Sequence, residues 1–421
     1  MPDHPAMPEN KTESQIAPTR ITLIHRYFWP DTSPYGILLR KIAEHLASEG
    51  NQVSVFTGQP TYSKESDASQ SVQLSQDLGE HLTVKRVKLL SQRRFRPIFR
   101  AINDLIFCIG IIWFVLRKKP QVVMCSTQPP VIGAAAAGWA ARRVGAKFIY
   151  HLQDIHPEVV CETGHVRHSF LMKLLQKIDV RTVQRADRIV LLSEDMRDSM
   201  MDRVAGIKDK IEVIPNFNLP RFDDLKSPPE EWMKTPGVFR MMFAGNIGRF
   251  QNLDSIVDAC LQVPDKTPFE FVLMGDGKAK EELREKAIAA NDDRIKFIDR
   301  QPLSMAEPLM ADADLCVVSL EPKVYRYAFP SKLASYLSLG TAVLVVCESD
   351  SELSRLPIEF GFGLSCNQSP VADILEQIQY AIGHPDEVAG MRVSAGEFFS
   401  SHFSRDQVMP QWTQLLQRVL G

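Results

Sequence analysis

The chain has little that would serve cysteine, metal or nucleic-acid chemistry. Seven cysteines stand among 421 residues, an odd number, and no two form a C-x-x-C. That argues against a disulfide framework and a zinc site, and a reducing cytoplasm fits. The formal net charge is -2, so no global field draws nucleic acid. The apolar run "LIFCIGIIWFVL" at 105–116 has twelve residues, short of the about 20 that cross a bilayer. Residues 1–19 are polar and include acids, which argues against a signal peptide and for a mobile tail.

What is present is ordinary for a soluble protein: 44% hydrophobic and 24% charged residues. The length exceeds what one core serves, so two domains are expected. From Arg20, short apolar runs alternate with amphipathic segments. "ITLIHRYF", "NQVSVFTG", "PQVVMCST", "AKFIYHLQD" and "DRIVLLS" read as strands, and "YGILLRKIAEHLASEG" and "VIGAAAAGWAARRVG" as helices. This βαβ series predicts an α/β fold with a parallel doubly wound sheet over 20–218. The rhythm breaks in the proline-rich, charged stretch 219–235, a linker. It restarts over 236–402 as a second α/β domain. Residues 403–421 read as a C-terminal helix packing back on the first domain. Two such sheets in tandem place a cleft between them, lined by the loops after the strand ends.

Five loops could carry chemistry. "WPDTSPYG" brings Gly36 to a helix start, where backbone can approach a ligand. "YHLQDIHPE" gathers His151, Asp154, His156 and Glu158 at one strand end; their spacing is not a familiar metal set, and local capping is the plain alternative. "FAGNIGRFQN" offers Asn246, Gly248, Arg249 and Gln251, small and polar groups suited to a phosphate oxygen. "LMGDGKAKEEL" places Gly275 in a turn that serves either a ligand or the turn itself. In "YAFPSKLASYLSLG", Ser331 reads as an N-cap and Lys332 falls in the first helical turn. A lysine there is disfavoured by roughly 0.3–1 kcal/mol unless an anion answers it. Asp312 and Asp314 in "ADADLCVV" precede a buried strand and read as a polar boundary rather than a metal site.

In this order, "YFWPDTSPYG", "YHLQDIHPE", "LSEDM", "VIPNF", "FAGNIGRFQNLD" and "FPSKLASYLSLG" resemble the GT-B glycosyltransferases of family 4. The nearest likeness is to the branch that builds bacterial capsule, colanic-acid-like and O-antigen polysaccharides. The resemblance implies two Rossmann-like domains facing across a cleft. It implies a UDP- or GDP-sugar donor held by the second domain, an acceptor held by the first, retention of anomeric configuration, and neither metal nor other cofactor. Lys332 and Arg249 would then meet the diphosphate, and Gly36 would approach it with its backbone. Asp154 would lie nearest the attacking hydroxyl, with His156 second. Asn216, Asn246, Gly248, Gln251, Gly275, Tyr327, Ser331 and Ser335 would line the substrates. Two departures stand out. Many members carry two glutamates where this chain has Tyr327 and Ser335, and an arginine and a lysine where it has Asn246 and Gln251.

From Lys85 to Lys119 there are ten Lys or Arg and one acid, Asp104, around the twelve-residue apolar run. Basic flanks about an apolar helix suit an anionic membrane surface. The alternative is a core helix with a solvated basic collar. The membrane reading fits a polyprenyl-linked saccharide acceptor and a peripheral place on the cytoplasmic face of the cell membrane. Two rivals keep the fold: a non-hydrolysing sugar-nucleotide epimerase, and a catalytically silent binding module.

Overall fold

A computed structural model describes residues 18–31, 33–60, 74–90, 97–162, 170–218, 227–248 and 251–421. The expected tail, part of the linker, residues 91–96 of the basic stretch and Arg249 lie largely or wholly outside these residues.

The first domain runs β1 (Arg20–Ile24), α1 (Pro34–Ser48), β2 (Gln52–Gly58), β3 (Ser75–Asp77), β4 (Leu82–Val87), α2 (Pro97–Lys118), β5 (Val122–Ser126), α3 (Ile132–Val144), β6 (Lys147–His151), α4 (Glu158–Glu162), α5 (Phe170–Arg185), β7 (Arg188–Leu191), α6 (Glu194–Arg203) and β8 (Ile211–Val213). Its strands order β3-β4-β2-β1-β5-β6-β7-β8. All pairs are parallel except the short edge strand β3 against β4. The central strands read as continuous apolar runs because helices cover both sheet faces; all five residues of β5 are buried.

The second domain runs β9 (Phe239–Ala244), α7 (Leu253–Cys260), β10 (Phe269–Met274), α8 (Lys280–Ala289), β11 (Ile295–Ile298), α9 (Leu303–Asp312), β12 (Leu315–Ser319), α10 (Lys332–Ser338), β13 (Ala342–Val346), α11 (Glu352–Glu359), β14 (Gly363–Cys366), α12 (Val371–Gly383) and α13 (Pro385–Phe398). Its sheet is parallel in the order β11-β10-β9-β12-β13-β14. The strand order turns around β9 and β12, the place where open parallel sheets bind ligands. Asp312 and Asp314 are tied to the domain itself: Lys234 Nζ donates to Asp314 (2.7 Å), and the Arg240 and Lys234 amides donate to Asp314 and Asp312 (both 2.8 Å).

The last helix, α14 (Arg405–Leu420), lies against α1 of the first domain. Trp412, Leu415 and Val419 join Leu38, Ile42 and Leu46 in one buried cluster. Further contacts cross between the domains. Asp154 forms a β-bridge with Ala328, and the Ile155 amide donates to the Tyr327 carbonyl (2.8 Å). Helices α6 and α11 cap each other: the Glu194 amide donates to Glu352 (2.6 Å) and the Glu352 amide to Asp195 (2.8 Å). Each carboxylate thereby satisfies an orphan N–H at the other helix's start. Burial raises Glu352 to about 7 and Asp195 to about 6.

One expectation is corrected here. The apolar run at 105–116 is part of a helix of 22 residues, and Phe99–Lys118 is long and apolar enough to cross a membrane. Arg100, Asn103 and Asp104 break the apolar run but not the helix. One side of that helix, however, is docked: Phe107, Ile111, Phe114 and Val115 are buried under the first sheet.

Candidate functional site

Between the two strand-end edges lies a cavity of about 370 Å³ lined by both domains. His25, Tyr35, Gln153, Asp154 and Asn216 come from the first domain, and Phe329 and Ser331 from the second. A larger depression, about 720 Å³, sits among Arg355, Glu359, Asp373 and Glu376 on the far edge of the second sheet and includes none of these residues.

The first-domain wall is a chain of buried and half-buried polar groups. β1, β5 and β6 are neighbours, so His25, Ser126 and His151 meet although they are far apart in sequence. His25 Nδ1 shares a hydrogen bond with the Ser126 hydroxyl, and the Tyr35 hydroxyl with His151 Nδ1 (2.8 Å). Gln153 Nε2 donates to His151 Nε2 (2.8 Å), and Asn216 Nδ2 donates to Gln153 Oε1 (2.8 Å). With Nε2 accepting, the proton of neutral His151 sits on Nδ1 and faces Tyr35. Burial lowers both histidines to about 3, with His151 adding to the effect on His25. Both are therefore neutral at physiological pH. Trp412 of the C-terminal helix backs His151, ring centroids 4.9 Å apart. None of His25, Tyr35 and Gln153 stood out in the sequence; only their convergence marks them.

Asp154 lies in the cavity wall beside this network, and burial raises its carboxyl to about 6. His156 does not join it. Its ring is buried, lowered to about 4 by burial and by Arg203, and its carbonyl accepts from Arg203 (3.1 Å). Glu158 also binds Arg203 (2.8 Å) and is structural. Gly36 serves its own loop. A Cβ there would meet the Ser33 hydroxyl at 2.5 Å and the Tyr27 carbonyl at 3.1 Å, and its N–H already donates to Ser33, the cap of α1. It presents no free amide to a diphosphate.

The second-domain wall is small and cationic. Lys332 Nζ donates to Gln251 Oε1 (2.7 Å) and lies 4.0 Å from the centroid of the Phe243 ring. Its Cε stands 2.7 Å from where a Cβ on Gly245 would be, so only glycine leaves it room. Among the described residues no carboxylate pairs with Lys332, and burial lowers it to about 7. An ammonium that burial disfavours this far gains much from an incoming anion. Gly275 and Gly277 let two loops stack: Cβ atoms there would fall 1.8 Å from the Gly245 carbonyl oxygen and 2.0 Å from that of Ile247. Gly275 therefore shapes the β9 loop rather than facing a ligand. Asn246 is exposed on that loop, and Gly248 packs beneath its amide.

Three expectations around α10 change. Ser331 precedes the helix, but its backbone is already helical and its side chain makes no capping bond. It lines the cavity instead. The Ser335 hydroxyl bonds back to the Ser331 carbonyl (3.4 Å). Tyr327 packs, with Phe329, against the first domain's buried cluster; it is a domain contact rather than a donor ligand.

The sequence and structure comparisons agree with this geometry. Residues 36–216 match the Glycosyl transferase 4-like domain and residues 239–356 the Glycosyl transferases group 1 domain. The chain is 25% identical over 362 residues to WbjE of Pseudomonas aeruginosa, described as a glycosyltransferase, covering 84% of this chain and 87% of that one. It is 20% identical over 398 residues to WcaI of Escherichia coli K12, described as a colanic acid biosynthesis glycosyl transferase, covering 91% and 96%. HepE of Anabaena, solved in complex with UDP, superposes with a TM-score of 0.68 at 16% identity, covering 95% and 100%. Two parallel-sheet domains with a polar, cationic cleft define a GT-B fold. The chain belongs to the family 4 glycosyltransferases that join these two domains.

Proposed function

We propose that this enzyme moves a sugar, with retained anomeric configuration, from a UDP- or GDP-sugar to a lipid-linked saccharide at the cytoplasmic face of the membrane, in building a cell-surface polysaccharide. The colanic acid role in the description of WcaI supports the pathway class, and the UDP held by HepE supports a nucleotide-diphosphate donor.

One observation carries the reading. The loop after β9 has Asn246 and Gln251 where many relatives have cations, and Lys332 reaches Gln251 from a different element. Lys332 thus adds a cation to this loop from α10, in addition to the Arg249 that the loop's own sequence carries. In the reaction the bond from the anomeric carbon to the phosphate oxygen breaks and a bond to the acceptor oxygen forms on the same face. The acceptor proton passes to the departing phosphate oxygen, while Asp154 orients the hydroxyl. Lys332 neutralises the charge that the diphosphate gains, a contribution that is large in a site sheltered from water. Asp312 and Asp314 are held by Lys234 and Arg240, which supports a charge balance resting on lysine rather than on a metal bound there.

A panel of UDP- and GDP-sugars, followed by donor hydrolysis and by transfer to a polyprenyl-linked acceptor, tests the proposal. Turnover of one donor is expected, unchanged by EDTA. Epimerised donor with no transfer would mark an epimerase. Tight nucleotide binding with no turnover would mark a silent module.

A further inference from the structure

Helices α2, α3 and α5 lie side by side on one face of the first sheet. Their inner sides share a buried cluster that includes Phe107 and Ile111 of α2, Ala137 and Ala141 of α3 and Val183 of α5. Their outer sides are unusual for a protein surface. On α2, Leu105, Ile109 and Trp113 form a stripe at helical spacing, 60%, 58% and 57% exposed. Trp139 of α3 and Phe170, Leu171 and Leu174 of α5 are exposed beside it. Single exposed apolar residues are common; a patch spread over three adjacent helices is not.

The charges on the same face all have one sign. Arg100, Arg117 and Lys118 on α2, Arg142 and Arg143 on α3, and Lys173, Lys177, Arg181 and Arg185 on α5 are exposed. These helices contain two acids, and both turn inward. Asp104 pairs with Arg26 (3.4 Å). Asp179 is buried, accepting from the Tyr150 hydroxyl (2.8 Å) and from Arg203. Arginines lie over both exposed indoles: Arg143 at 4.9 Å from the Trp139 ring and Arg117 at 5.8 Å from that of Trp113. Indoles beside basic side chains are the groups that settle at a headgroup boundary.

We infer that the outer face of α2, α3 and α5 is a docking surface for an anionic bilayer. The inference rests on the membrane-linked acceptor proposed above and extends the basic stretch 85–119 to two further helices. α2 lies in the interface rather than across it, because Phe107, Ile111 and Phe114 are locked beneath the sheet. Crossover helices of a parallel sheet run back from the strands' C-terminal edge. The starts of α2, α3 and α5 therefore lie at the cleft rim, and docking along their length sets the cleft mouth at the bilayer. A lipid-linked acceptor could then reach Asp154 without leaving the membrane.

Flotation of the full chain with vesicles, in the absence of nucleotide and acceptor, tests this apart from catalysis. The wild type should float with phosphatidylcholine vesicles containing phosphatidylglycerol and stay behind with phosphatidylcholine alone. Arg142→Glu with Arg143→Glu should lower partitioning by at least about thirtyfold, since each basic residue near an anionic surface contributes about fivefold. Trp113→Ala with Trp139→Ala should lower it and abolish a vesicle-induced blue shift of fluorescence. Unchanged circular dichroism and nucleotide-induced thermal shifts confirm that the variants fold. Wild-type protein that ignores anionic vesicles, or variants that float equally well, would overturn the inference. So would a wild-type dimer that Trp113→Glu converts to monomer while vesicles are ignored, which would assign the face to a second copy. Failure here leaves donor hydrolysis intact, whereas failure of the proposed transfer leaves flotation intact.

Discussion

The two walls of the cleft solve different problems with opposite materials. The first-domain wall is crowded with large neutral polar groups, and burial keeps His25 and His151 uncharged. Each hydrogen bond there fixes the next, from Tyr35 through His151 and Gln153 to Asn216. Such a network is preorganised to orient hydroxyls, with the Asp154 carboxyl beside it. Among the described residues the second-domain wall is almost bare. Glycines at 245, 275 and 277 bring backbone loops together, and one desolvated lysine stands without a carboxylate among the described residues. That wall is suited to a compact anion. Acceptor selection and leaving-group stabilisation are thus separable, and mutations should separate them.

The largest effect is expected on the bare wall. Lys332→Ala should lower turnover by about 10²–10³-fold, the range for removing one preorganised donor to developing charge. Lys332→Arg should restore only part of it, because the space beside Gly245 is tight. Steady-state donor hydrolysis and transfer rates check both variants. On the crowded wall, Asp154→Asn should slow transfer by roughly tenfold to a hundredfold, at or below the low end of what positioned acid–base groups contribute. Donor affinity should barely change; equal losses in both would erase the contrast between the walls. Asp154 is raised to about 6, so its ionised form is lost as pH falls through 6. Transfer should show an acid limb near that pH in the wild type and lack it in Asp154→Asn. The smallest effect belongs to the contact that joins the walls. Glu352→Ala removes the cap it lends to α6, worth about 1 kcal/mol, and should broaden the distribution of domain separations seen by X-ray scattering.

The alternation of strands and helices was readable because both sheets are parallel and buried, which writes apolar runs of strand length between amphipathic helices. The loops were readable because strand ends carry the polar exceptions. What local pattern could not carry is whatever depends on distant neighbours. His25 and His151 are 126 residues apart and meet through sheet order alone. Tyr327 faces the other domain, and nothing in its local sequence pattern indicates that. Gly36 and Gly275 look like ligand-facing glycines, yet the close approach they allow is between segments of this chain. Lys332 was legible as a lysine out of place; that it lands on Gln251 required the fold.

Titration calorimetry of UDP and of GDP into the wild type and Lys332→Ala, at pH 7.5 and pH 9, tests the central claim most directly. This range lies above the terminal phosphate's own titration near 6. Lys332 is lowered to about 7 without ligand, and the bound anion must restore its proton. The preferred nucleotide should therefore lose roughly twentyfold in wild-type affinity across this range, since well above the free lysine's titration each further pH unit costs about tenfold. The variant should bind weakly at both pH values with no such slope. A variant that binds as tightly as the wild type, or with the same slope, would contradict the account.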